Sequence, residues 1–314
     1  MSNTTTIALD SRELLLERLD KLRSLIGNTS LYHFKSLTVD GKSKIFAKLE
    51  WEQLSKSVKA RAGYEIIADA IHQNKLNENK ILLDATSGNT GIAYAEIGAR
   101  LGIRVALCLP ENASKERKQI LESLGVEIIY TSKFEGTDGA QAVARELAVK
   151  YPDKYFYADQ YRNPNNWKAH YLHTAQEIFD VVPGISHFVA GLGTTGTFVG
   201  TGRKLRELNP DIKLISLQPD SALHGLEGWK HLETAIVPKI YDADLADENY
   251  EVSTEEAYEM IRRIFKEEGL LLSPSSAANL VGAKRVAENF EGAIIVTMLP
   301  DNADKYSEVI KKIL

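Results

Sequence analysis

The chain has 314 residues, 44% of them hydrophobic, with a formal net charge of −5 and a single cysteine. That apolar content suffices for one large core or two moderate ones. Charges of both signs are interspersed with no basic stripe, which argues against a nucleic-acid partner, and no apolar run approaches a membrane span. Cys108, inside the apolar run 105–109, permits no intrachain disulfide, reads as a small core residue and suits a reducing cytoplasm. The polar, Thr-rich first nine residues lack a charged segment leading into an apolar one, so no secretory signal is expected.

Leu15, Leu19, Leu22 and Ile26 recur on one face and predict a helix over 11–26. A short strand follows at 45–49 and a helix at 58–75. The next block reads as strand 81–85, helix 91–101 closed by Gly102, strand 105–109, helix 114–124 closed by Gly125, strand 126–130, helix 139–151 and strand 155–158. The pattern restarts with helix 167–181, strand 187–191, helix 196–208 and strand 213–217, then helices 254–268 and 277–289 and strand 293–299. Alternation of this kind predicts parallel sheets in two α/β blocks. Residues 218–250, broken by Pro219, Gly225, Gly228 and Pro238, show no period and are too long for a plain connection, so they read as a functional loop.

Two loops carry the chemistry. Thr86-Ser87-Gly88-Asn89-Thr90-Gly91 and Gly191-Leu192-Gly193-Thr194-Thr195-Gly196-Thr197 each follow an apolar strand and open a helix, which aims backbone N–H groups at an anion. Lys59, in Ser57-Val58-Lys59-Ala60-Arg61, stands at a helix start, where the dipole and Arg61 are expected to depress its pKa. Two anion cradles and such a lysine suit a phosphorylated aldehyde cofactor, pyridoxal phosphate, plus a substrate carboxylate. The alternative is a dinucleotide site, since Gly191, Gly193 and Gly196 satisfy G-x-G-x-x-G. That reading wants an acidic residue at the end of the next strand, where Gln218 stands, and leaves Lys59 unused. His170 and His173 could share a metal, but no matching cluster accompanies them and no metal is expected.

The chain resembles the β-family of pyridoxal-phosphate enzymes (fold type II), and within it the cysteine synthases, or O-acetylserine and O-phosphoserine sulfhydrylases. The matching motifs run in order: Ile26-Gly27-Asn28-Thr29-Ser30-Leu31, Ser57-Val58-Lys59, the 85–92 asparagine loop, Ala158-Asp159-Gln160-Tyr161, Asn163-Pro164-Asn165, Ala169-His170-Tyr171, Gly193-Thr194-Thr195-Gly196-Thr197, and Glu268-Gly269-Leu270-Leu271 leading to Ser275-Ser276. The resemblance implies two three-layer αβα domains, as in the tryptophan-synthase β fold: a smaller one over 45–157 and a larger one from 1–44 plus 158–314. It also implies a cytoplasmic homodimer, an association with which the apolar face of helix 11–26 agrees.

The implied activity is β-replacement on an O-activated L-serine through an aminoacrylate, with sulfide or a thiol as nucleophile. Alternatives are a cysteine desulfhydrase or lanthionine-type enzyme, a nicotinamide dehydrogenase and a non-catalytic binding protein of the same fold. By resemblance, Lys59 holds the cofactor and moves the α-proton. Asn89 contacts the ring's 3′ oxygen, Gly193, Thr194, Thr195, Gly196 and Thr197 bind the phosphate, and Ser275 meets the pyridine nitrogen. Thr86, Ser87, Gly88 and Thr90 grip the α-carboxylate, with Gln160 assisting. The chain departs from the family at Gln53-Leu54-Ser55-Lys56, where Asn-Pro-x-Gly is usual, and at Ala60, where aspartate is usual. Lys56 and Lys230 are therefore expected to border the β-substituent and to favour an anionic donor, O-phosphoserine ahead of cysteine and O-acetylserine.

Overall fold

The computed structural model describes residues 11–37, 42–86 and 88–314. Ten strands form two sheets: β1 (Leu31–His33), β2 (Lys44–Leu49), β3 (Ile81–Ala85), β4 (Arg104–Pro110), β5 (Glu127–Thr131), β6 (Tyr155–Tyr157), β7 (His187–Gly191), β8 (Lys213–Pro219), β9 (Glu248–Val252) and β10 (Ile294–Leu299). The larger sheet has the order β1-β2-β10-β7-β8-β9 and the smaller β5-β4-β3-β6. Every pairing is parallel except β1 with β2.

The helices are α1 (Ser11–Arg23), α2 (Lys59–His72), α3 (Asn89–Leu101), α4 (Lys115–Ser123), α5 (Gly136–Lys150), α6 (Asn165–Ala169), α7 (Ala175–Val181), α8 (Gly196–Leu208), α9 (Thr254–Glu268), α10 (Pro274–Asn289) and α11 (Ser307–Ile313). Among the described residues no helix is long and apolar enough to cross a membrane.

Parallel strands covered on both faces read as continuous apolar runs, and period-2 alternation divides their side chains between two cores. In β4, Val105, Leu107 and Leu109 pack with α2 and α3, while Ala106 and Cys108 pack with α5. In β10, Ile295 and Leu299 join α9 and α10, while Val296 and Met298 join α7 and α8. Each sheet is thus a three-layer αβα unit, as expected.

Two assignments are corrected. Residues 45–49, expected to open the smaller domain 45–157, belong to the larger sheet, because β2 pairs along its length with β10. The apolar face of helix 11–26, read as agreeing with a dimer contact, is spent within the chain: Leu15, Leu19, Leu22 and Ile26 pack in one core with Tyr64, Ile67, Ile97 and Leu101 of α2 and α3. Strands β1 and β9 and helix α11 had no sequence expectation. The single helix expected over 167–181 is three pieces, with a π-helical turn at His170–Thr174 between α6 and α7.

Candidate active site

The carboxyl ends of parallel strands point toward one cavity, as open α/β sheets arrange their ligand sites. Its volume is about 370 Å³, and it is lined by Lys59, by Thr86, Gly88, Asn89 and Thr90 after β3, by Gly193, Thr194, Thr195 and Thr197 after β7, and by Gln160, Ser275 and Lys230. Three features that are far apart in the sequence therefore meet. Ser87 lies outside the described residues. Gly196 is not in the lining; it opens α8, where a Cβ would fall 2.0 Å from Asn166 Oδ1.

Lys59 is the first residue of α2, and its side chain, only partly buried, carries its amine to the cavity wall. Burial pushes that amine below its ordinary value, against the pull of Asp301 and Glu50. Arg61, expected to contribute, does not, because its charge is already matched. It donates from Nε and Nη2 to both oxygens of Glu50 (2.6 and 2.8 Å) and from Nη1 and Nη2 to Glu177 (2.7 and 2.8 Å). Against burial, Arg61 and Lys48 hold Glu177 down to about 2. Gln53, the first residue of the atypical stretch, joins this network by donating to Glu50 Oε2 at 2.7 Å and accepting from Gly27 N at 2.9 Å.

Loop 86–90 is organised through Gln160. Thr90 Oγ1 donates to Gln160 Oε1 at 2.7 Å, Gln160 Nε2 to Ala85 O at 3.2 Å, and Gln160 N to Asp84 Oδ2 at 3.3 Å. Burial pushes Asp84 up to about 7, although the Ala85 and Gln160 N–H groups pull it down. Asn89 is fixed from the opposite domain: its Nδ2 donates to Asp301 Oδ2 at 2.7 Å and its Oδ1 accepts from Lys305 Nζ at 2.8 Å.

Loop 191–197 is packed more tightly. A Cβ on Gly193 would lie 2.1 Å from Gly228 O, and one on Gly191 2.0 Å from the Trp229 ring, so segment 218–250 folds directly over it. Thr195 caps α8 with φ +71°, a rare conformation for a β-branched residue. The π-helical turn sets His170 beneath it, Nδ1 against Thr174 Oγ1 (2.9 Å) and Nε2 against Thr197 Oγ1 (3.3 Å). Burial drives His170 well below the usual imidazole range, so it is a neutral positioning group. Among the described residues no cluster of three or more His, Cys, Asp or Glu suits a metal.

Lys56 is not part of the site. Ser55 and Lys56 both adopt positive φ (+59° and +47°), and this backbone turn sends the Lys56 side chain outward, 66% exposed, to Asp304 at 3.3 Å. The glycine usual at position 56 in the family matches that backbone; the lysine there lies away from the cavity. Lys230 does line it, 13% exposed, with Asp138 at 3.6 Å and the Tyr161 ring centroid at 5.1 Å.

Sequence reasoning gave no role in the site to Arg117, Glu227, Tyr161, Trp229, Asn279 and Tyr306, which also line the cavity, nor to Asp301 and Lys305 behind Asn89. For Asp301, Lys305 and Tyr306 a signal existed: they directly follow a parallel strand, where such folds place function. Arg117 gave none, since its helix reads as a solvated charge run.

The lining fits pyridoxal phosphate. Thr195 Oγ1 is buried without a hydrogen-bond partner among the described residues, in a loop whose glycines leave no room for a side chain at the N-terminus of a 13-residue helix. The amine of Lys59, in the lining of the same cavity, completes the donor set an aldehyde phosphate requires.

Comparisons with known proteins agree. Residues 22–301 match the family described as pyridoxal-phosphate dependent enzyme. A cysteine synthase of Aquifex aeolicus is 43% identical over 295 residues, covering 91% of this chain and 90% of that protein. An O-acetylserine dependent cystathionine beta-synthase of Bacillus subtilis is 35% identical, covering 91% and 95%. The crystal structure of a cysteine synthase from Entamoeba histolytica superposes with a TM-score of 0.85 at 30% identity, over 98% of this chain and 92% of that one. The chain belongs to the pyridoxal-phosphate dependent enzymes and has cysteine synthases among its relatives.

Proposed function

We propose that the enzyme replaces the β-oxygen substituent of an O-activated L-serine with sulfur, giving L-cysteine or a β-thio-substituted alanine. The observation that carries this is the convergence of Lys59, the α3 N-terminus and loop 193–197 on one cavity. Bound there, pyridoxal phosphate supplies an aldehyde reactive toward amines and a ring that draws electron density from the donor's Cα. Loop 193–197 holds the phosphate, Asn89 the ring's 3′ oxygen and Ser275 its nitrogen. The α3 N-terminus, with Thr86, Ser87, Gly88 and Thr90, holds the α-carboxylate, and Gln160 fixes the Thr90 hydroxyl. Lys59, its amine depressed by burial, takes and returns the Cα proton. The ion pairs Arg117–Glu227 and Lys230–Asp138 span the two domains at the mouth and exclude water.

For the donor, a neutral ester such as O-acetyl-L-serine is favoured over O-phosphoserine. Lys56 is outside the cavity, and the two cations that line its mouth, Lys230 and Arg117, are each matched by a carboxylate, Asp138 and Glu227. The O-acetylserine dependent relative supports the same choice. Residence in the cytoplasm and assembly as a homodimer complete the reading; the buried lone cysteine supports the first and the family resemblance the second.

The test is turnover of the purified holoprotein with sulfide and each donor. Cysteine formation is expected, with kcat/KM for O-acetyl-L-serine at least about tenfold above that for O-phosphoserine. A preference for O-phosphoserine overturns the donor choice, and no β-substituted alanine from any donor overturns the function.

A further inference from the structure

The segment that follows β10 carries a buried lysine to which the proposed machinery gives no task. Lys305 is 8% exposed, and its Nζ donates to Asn89 Oδ1 at 2.8 Å, to Ser55 O at 3.1 Å and to Lys56 O at 3.3 Å. An ammonium has three donors and no acceptor, so these three oxygens use all of them. Two of the oxygens belong to the left-handed turn at 55–56, in the stretch where the chain departs from its family. The third is on Asn89, which lines the cavity. On its other side Asn89 meets the buried Asp301: Nδ2 donates to Asp301 Oδ2 at 2.7 Å, and the Tyr306 hydroxyl donates to the same oxygen at 2.7 Å.

A carboxamide can turn over, exchanging its oxygen for its nitrogen. At Asn89 that exchange would set an oxygen against a carboxylate, which only accepts, and N–H groups against an ammonium, which only donates. Both contacts would be lost at once inside the protein, where an unmatched polar group is costly. The amide is therefore held one way round. One Nδ2 N–H goes to Asp301, and the other is left for an acceptor in the cavity. The ammonium also draws electron density from the amide oxygen, which makes that N–H a stronger donor. We infer that Lys305 is a positioning residue: anchored by the carbonyls of the 55–56 turn, it locks the Asn89 amide with an N–H available to the cofactor's 3′ oxygen. The inference rests on the cofactor placement in the β-replacement reading. It gives the backbone of the atypical turn a task that the Lys56 side chain, outside the cavity, does not have.

The test is absorption spectroscopy of the holoprotein, which reports the protonation state of the 3′ oxygen as the ratio of visible to near-ultraviolet absorbance of the bound cofactor. Lys305→Met should lower that ratio by about three- to tenfold, and Lys305→Arg, which keeps the donors, should retain it. Asn89→Ala should lower it as well, and adding Lys305→Met to Asn89→Ala should change it no further, because the lysine acts through the amide. A lysine that only braced the fold would lower stability in both backgrounds and leave the spectrum alone. Lys305→Gln, uncharged and able to accept as well as donate, carries the test if Lys305→Met does not fold. A wild-type spectrum in the uncharged variants, or a full effect of Lys305→Met in the Asn89→Ala background, overturns the inference. The β-replacement reading is checked apart, by product: a wild type that forms no β-substituted alanine yet shows this spectral pattern loses that reading and keeps the inference.

Discussion

Loops 86–90 and 193–197 both leave the carboxyl end of a parallel strand and enter a 13-residue helix, yet they are enclosed very differently. At 193–197 the backbone is pressed on all sides: by Gly228 O at Gly193, by Trp229 at Gly191, by Asn166 at Gly196, with Thr195 held at positive φ. At Gly88, φ is −122° and a Cβ would meet nothing within 4 Å. The strand ends are anchored differently too. Gly191 N donates to the neutral amide of Asn279 at 2.8 Å, whereas Asp84, a titratable carboxyl, holds the Ala85 and Gln160 N–H groups. Loop 193–197 is a frame fixed by packing. Loop 86–90 is held by polar contacts reaching across the domain seam, notably Asn89 to Asp301 and Lys305. Under the proposed function the first would hold a cofactor that stays bound and the second a substrate that comes and goes, which suits that division.

The comparison breaks most visibly at the glycines. Gly193→Ala should lose cofactor affinity by two orders of magnitude or roughly more, because backbone cannot move aside as a side chain can. Gly88→Ala should keep the cofactor and raise only the donor's KM. Absorbance of the bound cofactor after dialysis, read beside donor kinetics, checks both; equal cofactor loss in the two variants would erase the distinction.

Asp84 supplies the next effect. Its folded-state pKa of about 7 lies above the ordinary 3.8, so the folded protein binds this proton more tightly than the unfolded chain does. The contribution is fully present below about pH 4 and is lost as pH rises through about 7. Denaturant titrations at pH 5 and pH 8 should show a fall of about 2 kcal/mol in the wild type that Asp84→Asn removes. An unchanged pH slope in the variant would contradict it.

Under the proposed function Ser275, which lines the cavity, would meet the ring nitrogen with a neutral hydroxyl in place of a carboxylate and would not hold it protonated. Ser275→Ala should be mild, and Ser275→Asp should slow β-elimination by about tenfold. Faster elimination in the aspartate variant would refute the electron-sink argument.

The smallest effect belongs to Lys56. Lys56→Gly relieves a left-handed backbone and should stabilise the fold by roughly 1 kcal/mol or less, because an exposed ion pair to Asp304 is lost at the same time. The donor ranking should not change; a reversal in this variant would return Lys56 to the site.

Much of this architecture was legible because local signals and tertiary demands agree. Apolar runs closed by Gly102 and the strand-loop-helix grammar around Asn89 and Thr195 predicted the elements and the two helix-opening loops that meet at the cavity. The failures share a physical origin in partner choice. Nothing within residues 45–49 says that β2 pairs with β10 at the far end of the chain. The stripe of α1 declares that it will be buried without saying against what. Lys56 was misplaced because a lysine gives no hint that its backbone turns left-handed. Arg117 was invisible because only the fold brings α4 against Glu227 and Tyr306.

The proposed function depends above all on Lys59, between the two loops, as the lysine that holds the cofactor. Borohydride reduction of the purified holoprotein followed by peptide mapping tests it most directly, because a second lysine, Lys305, sits against Asn89 and serves as an internal control. The cofactor should become fixed on Lys59 alone, and Lys59→Ala should yield no fixed cofactor. A label on Lys305 or any other lysine, or reducible attachment persisting in Lys59→Ala, would contradict it.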